Sequence, residues 1–342
     1  MSPKDLADKV GVATLDALPR DVSPREYFRG VKDGRNFIVM FYPNPDNKSR
    51  EELRRFIGVG RCLSQAGIKT PEIYDLDEQS CYAVIEDLGT VSFGKALKTG
   101  IEGQGALYEC ATDVLKKLIP VRDDTSGGLL LYEESKIYEN RRQLIDYYVA
   151  FKRGGKSPEC LTHAYLNVWD EIMEALPPCP RGVVHGDFHL ENLMFQDDKT
   201  EINRCALIDY QDAMNAPLPY DLVNLLEDAR IDVPLDLRHR MITRYCADMS
   251  QEEKDVFLIW YRVLGTQFHG RVLGLFIKLA AEQNRDSYLI HIPRLQAYMR
   301  DALSDPVLAP LKSWFEKEGV DFDPLNDLHG DEIRTVFKDI LF

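Results

Sequence analysis

One stretch restricts this chain more than any other. Between the short apolar runs Gly182-Val183-Val184 and Leu193-Met194-Phe195 it reads His185-Gly186-Asp187-Phe188-His189-Leu190-Glu191-Asn192. Seventeen residues after Asn192, a third apolar run, Cys205-Ala206-Leu207-Ile208, ends in Asp209-Tyr210. Short apolar runs bounded by polar turns are the pattern of strands. Their surroundings have helical spacing: residues 108–118, 138–148 and 160–176 before them, and the chain after Asp212. The island therefore predicts a loop followed by a β-hairpin whose turn is the polar segment 196–203. A hairpin returns the chain to its start, so Asn192 and Asp209 converge.

That convergence suits phosphoryl transfer, which asks for few parts. A carboxylate must orient the attacking hydroxyl, and hard oxygen ligands must hold Mg²⁺ on the nucleotide phosphates. Asp187 is the candidate catalytic base, and Asn192 and Asp209 are the candidate metal ligands. The Asp-x-x-x-x-Asn spacing is that of a kinase catalytic loop. An isolated Asp and Asn at that spacing carry no weight, and His-Gly-Asp-x-His alone can be a turn with satisfied polar groups. The information lies in the full succession of strand, loop and strand ending in Asp209. A hydrolase using His-Gly-Asp-x-His as metal ligands would need more His or carboxylate donors than can be assembled.

The N-terminal part reads differently. Residues 4–18 predict a helix ended by Pro19. Asp33-Gly34 between the apolar runs 28–31 and 37–41 predicts a hairpin, stopped by Pro43 and Pro45. Residues 49–66 predict a helix capped by Ser49 with Glu52 three residues on, and Gly67 ends it. Residues 71–74 and 81–86 predict two further strands. The result is a small antiparallel sheet with one inserted helix. Asp87-Leu88-Gly89 is a turn-prone link. At 342 residues the chain is long for one core. The expected organisation is a nucleotide-binding lobe over 1–86, a hinge over 87–91 and a helical lobe over 92–342 with the catalytic loop and metal-binding hairpin at 181–212.

His185-Gly186-Asp187-Phe188-His189-x-x-Asn192 followed by Ile208-Asp209 resembles the signature of the aminoglycoside phosphotransferase and choline kinase superfamily. Tyr220-Asp221-Leu222-Val223 resembles the Asp-Leu-[Ala/Val] helix start of the same superfamily. With the sheet pattern, the resemblance covers nearly the whole chain. It implies an α+β, protein-kinase-like fold of two lobes with ATP held between them, Asp187 as base, and Asn192 and Asp209 as Mg²⁺ ligands. Phe37-Ile38-Val39-Met40, Glu86-Asp87-Leu88-Gly89, Asp209-Tyr210-Gln211-Asp212-Ala213 and Arg271-Val272-Leu273-Gly274-Leu275-Phe276, taken in order, resemble the bacterial anomeric sugar kinases. Those enzymes phosphorylate the anomeric hydroxyl of N-acetylmuramic acid and N-acetylglucosamine in cell-wall recycling. The implied acceptor is an amino sugar; an aminoglycoside or a choline-like alcohol is the alternative within the class.

The chain departs from a kinase pattern in more than one respect. The lysine expected on strand 37–41 falls near Met40, and no lysine stands there. That absence is the support for a third reading, a pseudokinase-like binding module. Lys32, Arg25 or Lys48 can replace the cation, and the helix glutamate that would pair with it is Glu51, Glu52 or absent. Ser23-Pro24-Arg25-Glu26-Tyr27-Phe28 has no Gly-x-Gly, yet Ser23, Arg25 and the backbone N–H groups can bind phosphate; a plain surface turn is the alternative. Ser23, Arg25, Lys32, Glu86 and Leu88 are thus the nucleotide-binding candidates. His185 is expected to brace the loop, and His189 either to brace it or to face substrate. Gln267, His269 and Arg271 lie on the apolar stretch 260–280, where they line a sugar site or simply pack. Asp221 either bonds the catalytic-loop backbone or caps its helix.

Composition narrows the partners. A net charge of −14 argues against nucleic acid. Seven scattered cysteines with no Cys-x-x-Cys indicate neither a disulfide framework nor a zinc ribbon, and fit a reducing compartment. No apolar run reaches the roughly 18 residues of a membrane span, and the charged start, with Lys4, Asp5, Asp8 and Lys9, is no signal peptide. The oligomeric state is left open. The expectation is a cytoplasmic enzyme with a small-molecule acceptor.

Overall fold

Asp33-Gly34 behaves as its chemistry predicts. In the computed structural model, which describes residues 2–19, 25–121 and 129–338, both residues are left-handed, with φ of 53° and 75°. Two positive φ values in succession make the tight turn whose twist matches that of paired strands. The turn joins the middle of a five-stranded antiparallel sheet: β1 (Asp16–Ala17), β2 (Glu26–Lys32), β3 (Arg35–Phe41), β4 (Ile73–Asp77) and β5 (Tyr82–Glu86), in the order β1-β2-β3-β5-β4. Alternation along β3 sorts its side chains. Phe37, Val39 and Phe41 join Leu6, Val10, Phe28, Tyr82 and Val84 in one apolar cluster. Ile38 and Met40 point to the opposite face, as the two-residue period of a strand requires.

Two helices differ from expectation at their ends. The first, α1 (Pro3–Val10), stops well short of Pro19 because Gly11 turns left-handed at φ 77° and its N–H bonds back to the Ala7 carbonyl. The second, α2 (Asn47–Gln65), is capped by Asp46 rather than Ser49. The Asp46 carboxylate accepts the Ser49 N–H at 2.8 Å, so Ser49 is the third helical residue and closes the box from inside.

The chain is not cut once near residues 87–91. One unit is Met1–Leu129 with Gly182–Asn215; the other is Leu130–Arg181 with Ala216–Phe342. The segment that follows the 185–192 loop belongs to the first because its hairpin, Leu193–Phe195 with Cys205–Leu207, is stitched to neighbouring backbone. Leu207 N donates to Lys69 O (2.8 Å) and Phe195 N to Val91 O (2.8 Å). Two further helices, α3 (Phe93–Thr99) and α4 (Gln104–Leu118), complete that unit.

In the second unit the 33-residue helix Gln251–Gln283 carries Leu273, Ile277 and Ala280 into a core with Tyr148, Trp169, Met299 and Phe315. The helix expected over 138–148 is broken there into an α-turn at Lys136–Glu139, a 3₁₀ turn at Asn140–Arg142 and a π-helical stretch at Leu144–Val149. Close approach of the long helix accounts for this. A Cβ on Gly274 would meet the Gln143 carbonyl and come within 2.7 Å of Leu144 N. The segment after Asp212, expected to be helical at once, first runs extended over Met214–Pro217. Among the described residues, no helix is long and apolar enough to cross a membrane.

Candidate active site

The loop after Val184 is held from within. Gly186 takes φ 87°, a value only glycine adopts without strain. Buried His185 uses both ring nitrogens: Nδ1 accepts the Asp187 N–H (3.3 Å), and Nε2 lies 2.9 Å from the Ile208 carbonyl, to which it must donate. This fixes a neutral tautomer and makes His185 a brace between the two sides of the hairpin. It also removes His185 as a metal ligand. Phe188 and Leu190, on either side of His189, are buried and anchor the loop, while the Asp187 side chain just before them is 61% exposed.

Asp187 and Asn192 are in direct contact. Asn192 Nδ2 donates to the Asp187 carbonyl (2.9 Å) and to its Oδ2 (3.2 Å). His189 Nε2 stands 3.4 Å from the same Oδ2, while its Nδ1 accepts the Glu191 N–H at 3.3 Å. Asp209 arrives from the far strand. The Ile208 N–H donates to Asn192 O at 3.1 Å, which places the two candidate ligands side by side. Asp209 itself is left-handed, φ 60°, a conformation that Asp tolerates better than most side chains. Its Oδ1 accepts from Arg25 Nη2 (3.0 Å) and Gln211 Nε2 (3.1 Å). The next residue, Tyr210, is fully buried and stacks on Phe56 of α2, with ring centroids 4.8 Å apart.

Asn192, Asp209 and Arg25, but not Asp187 or His189, stand at the polar end of a cavity of about 340 Å³. Ile38, Ile85, Leu88, Met194 and Ile208 supply its apolar walls. The size and the mix of walls are those of a small-ligand site. Arg29 lines it too, but its guanidinium is bidentate on Asp87 (2.7 and 3.0 Å), whose Oδ1 also accepts the Gly89 N–H.

The sequence candidates separate clearly. Asp187, Asn192 and Asp209 come together, and Arg25, Glu86 and Leu88 line the cavity. The Glu86 carboxylate is held by Lys69 and by the Glu72 N–H (3.1 Å), and the Leu88 carbonyl accepts from Gln196 (3.2 Å). Lys32 is not brought to the site: its Nζ donates to the Val10 carbonyl (2.9 Å) at the turn end of the hairpin. Lys48 is exposed in the first turn of α2. Ser23 lies outside the described residues. In the other unit, Asp221 is buried in the first turn of Pro219–Leu226. Gln267 accepts from the Tyr132 hydroxyl (2.7 Å), and Arg271 lies over the Phe268 ring. His269 stacks on Tyr298 and sits 3.2 Å from Glu227; burial drives its imidazole down to about 3 and pushes the Glu227 carboxyl up. Spacing alone missed Arg29, Asp87 and Gln211, although Arg25, Tyr27 and Arg29 alternate as one face of a strand does.

Residues 14–254 match the sequence model of the phosphotransferase enzyme family. The chain belongs to that family. Among this phosphotransferase's relatives, the N-acetylmuramate/N-acetylglucosamine kinase of Caulobacter vibrioides is 27% identical over 341 residues, covering 91% of this chain and 93% of its own. The protein of the same name from Pseudomonas aeruginosa is 27% identical over 310 residues, covering 89% and 88%. In fold the phosphotransferase is similar to a thermostable mutant of aminoglycoside phosphotransferase APH(4)-Ia, with a TM-score of 0.59 at 16% identity over 89% of this chain and 100% of that one. It is also similar to choline kinase LicA from Streptococcus pneumoniae, with a TM-score of 0.55 at 14% identity over 88% and 99%. The α+β, protein-kinase-like fold expected from the sequence is the fold this family member has.

Proposed function

We propose that this phosphotransferase is an ATP- and Mg²⁺-dependent kinase acting on the anomeric hydroxyl of an amino sugar of the N-acetylglucosamine or N-acetylmuramate type, working in the cytoplasm. One observation carries the reading: Asn192 and Asp209 lie side by side at the polar end of an apolar cavity, with the exposed Asp187 carboxylate bonded to Asn192. The relatives named N-acetylmuramate/N-acetylglucosamine kinase, similar over nearly the whole chain, support the choice of acceptor.

The residues fit the implied metal. Asn192 commits Nδ2 to Asp187, so Oδ1 is the amide atom left to ligate. Asp209 keeps Oδ2 beyond the Oδ1 that Arg25 and Gln211 hold. Both are hard oxygen donors of the kind Mg²⁺ takes. Bound there, Mg²⁺ supplies charge neutralisation at the transferring phosphoryl group. The apolar walls suit a purine, with the Leu88 N–H as its hinge donor. Asp187, oriented by Asn192 and His189, accepts a hydrogen bond from the attacking hydroxyl. An anomeric hydroxyl is more acidic than an ordinary alcohol, and the transition state is loose in most analyses, so aiming the oxygen matters more than removing its proton.

The test is product chemistry. With ATP and Mg²⁺, N-acetylglucosamine or N-acetylmuramate is expected to give a product carrying phosphate on the anomeric carbon by NMR, and the methyl glycoside is expected to be inert. Equal phosphorylation of the methyl glycoside, or turnover of aminoglycosides alone, would refute the acceptor assignment.

A further inference from the structure

The residue that kinases place on the third strand to hold the nucleotide phosphates is missing here, and the structure shows how its surroundings have been rebuilt. Met40 is fully buried on the cavity-side face of β3, the face that Ile38 shares. Tyr42, two residues on, directs its hydroxyl to Glu52 of α2 at 3.2 Å. In a protein kinase a strand lysine pairs with a helix glutamate. Here a methionine replaces the cation, and the helix glutamate is satisfied by a neutral tyrosine.

The neighbouring strand carries the charge instead. Tyr27 lies opposite Met40 in the ladder, and Arg29 lies opposite Ile38. One two-residue step back from Tyr27 is Arg25, so Arg25, Tyr27 and Arg29 share a face, and all three line the cavity. Arg29 is committed through Nε and Nη2 to Asp87 at the hinge end. Arg25 is at the other end. Its side chain is only 10% exposed, and Nη2 lies 3.0 Å from Asp209 Oδ1. A guanidinium beside a carboxylate that would help hold Mg²⁺ is placed to meet the phosphates of a nucleotide that would bind with it. Its planar fork matches the geometry of phosphate oxygens.

We propose that Arg25 is the phosphate-binding cation of this enzyme, supplied from the position just before β2 in place of the β3 lysine, and that α2 therefore orders the site without a lysine–glutamate pair. This assignment rests on the ATP-dependent reading above. It distinguishes the phosphates from the rest of the nucleotide, and the test uses that distinction.

Binding of AMP, ADP and the non-hydrolysable analogue AMP-PNP is measured by calorimetry, with and without Mg²⁺, on wild type, Arg25→Met, Arg25→Lys and Glu52→Gln. Losing one charge-assisted contact to phosphate is expected to weaken ADP and AMP-PNP roughly 10- to 100-fold in Arg25→Met. AMP affinity is expected to stay within about twofold, which also shows that the variant is folded. Arg25→Lys is expected to recover part of the loss, and Glu52→Gln to bind AMP-PNP like wild type. Arg25→Met that binds AMP-PNP as tightly as wild type, or that loses AMP equally, overturns the assignment and leaves the kinase reading standing. A loss in Glu52→Gln as large as in Arg25→Met also overturns it. Wild type that binds no adenine nucleotide overturns both.

Discussion

Asp209→Asn is the substitution that separates chemistry from folding most cleanly. Asp209 is left-handed, φ 60°, and asparagine tolerates that region as well as aspartate, whereas alanine would add backbone strain. The shape is unchanged, so the backbone bond from Ile208 to Asn192 is retained. What is lost is one charge. Its partner Arg25 is only 10% exposed and Asp209 is 39% exposed, so the pair is partly screened; the Asn Oδ1 can still accept from Arg25, and the cost to stability is about 1–2 kcal/mol. The cost to catalysis is of another order. A metal held on the phosphates contributes several kcal/mol of transition-state stabilisation. Losing about 4 kcal/mol of it lowers kcat roughly 10³-fold. Two measurements check this together: kcat at saturating ATP and acceptor over a Mg²⁺ titration, and the gain in AMP-PNP affinity on adding Mg²⁺. The expected result is a protein that still folds, turns over roughly a thousandfold more slowly and shows little Mg²⁺-dependent gain. A folded Asp209→Asn enzyme within about tenfold of wild-type kcat would refute the metal-ligand role.

Other substitutions read out other parts of the molecule. Asp187→Asn is expected to lower kcat by roughly 10²–10⁴ with AMP-PNP affinity unchanged, and steady-state kinetics beside calorimetry check it. Gly60→Ala would bring a Cβ to 2.7 Å from the Tyr210 hydroxyl; because Tyr210 adjoins Asp209, a fall in kcat is expected alongside a stability loss of about 1–3 kcal/mol, and a variant that loses stability without losing kcat would contradict that coupling. Gly274→Ala and Gly270→Ala, one turn apart on the long helix, should have opposite signs. The first drives a Cβ into the backbone at Gln143 and Leu144 and is expected to destabilise by about 1–3 kcal/mol; the second meets only the Leu144 side chain at 3.4 Å and is expected to gain up to about 1 kcal/mol of helix propensity. Urea unfolding of the pair decides it, and equal stability of the two would count against the packing described.

The parts of this protein legible in its sequence are those set within a few residues of each other. Asp33-Gly34 makes its turn because both residues accept positive φ. The candidate catalytic loop and its hairpin are readable because a short strand, a glycine turn and a second strand leave the backbone one way to return, and that return brings Asp209 beside Asn192. Helix ends were less legible: Asp46 and Ser49 are both good caps, and only the backbone bonds show which one acts. The arrangement around Arg25 was decided by tertiary structure. Arg25 meets Asp209 across 184 positions of sequence, whereas Lys32, at the far end of β2, bonds the Val10 carbonyl, and neither partner is within reach of a local pattern. The broken helix over 136–153 likewise depends on Gly274, whose missing side chain lets a distant helix press against it. Turn and strand preferences act through bonds and sterics within one short segment, whereas the partner of a long charged side chain depends on which strands pair and in what register.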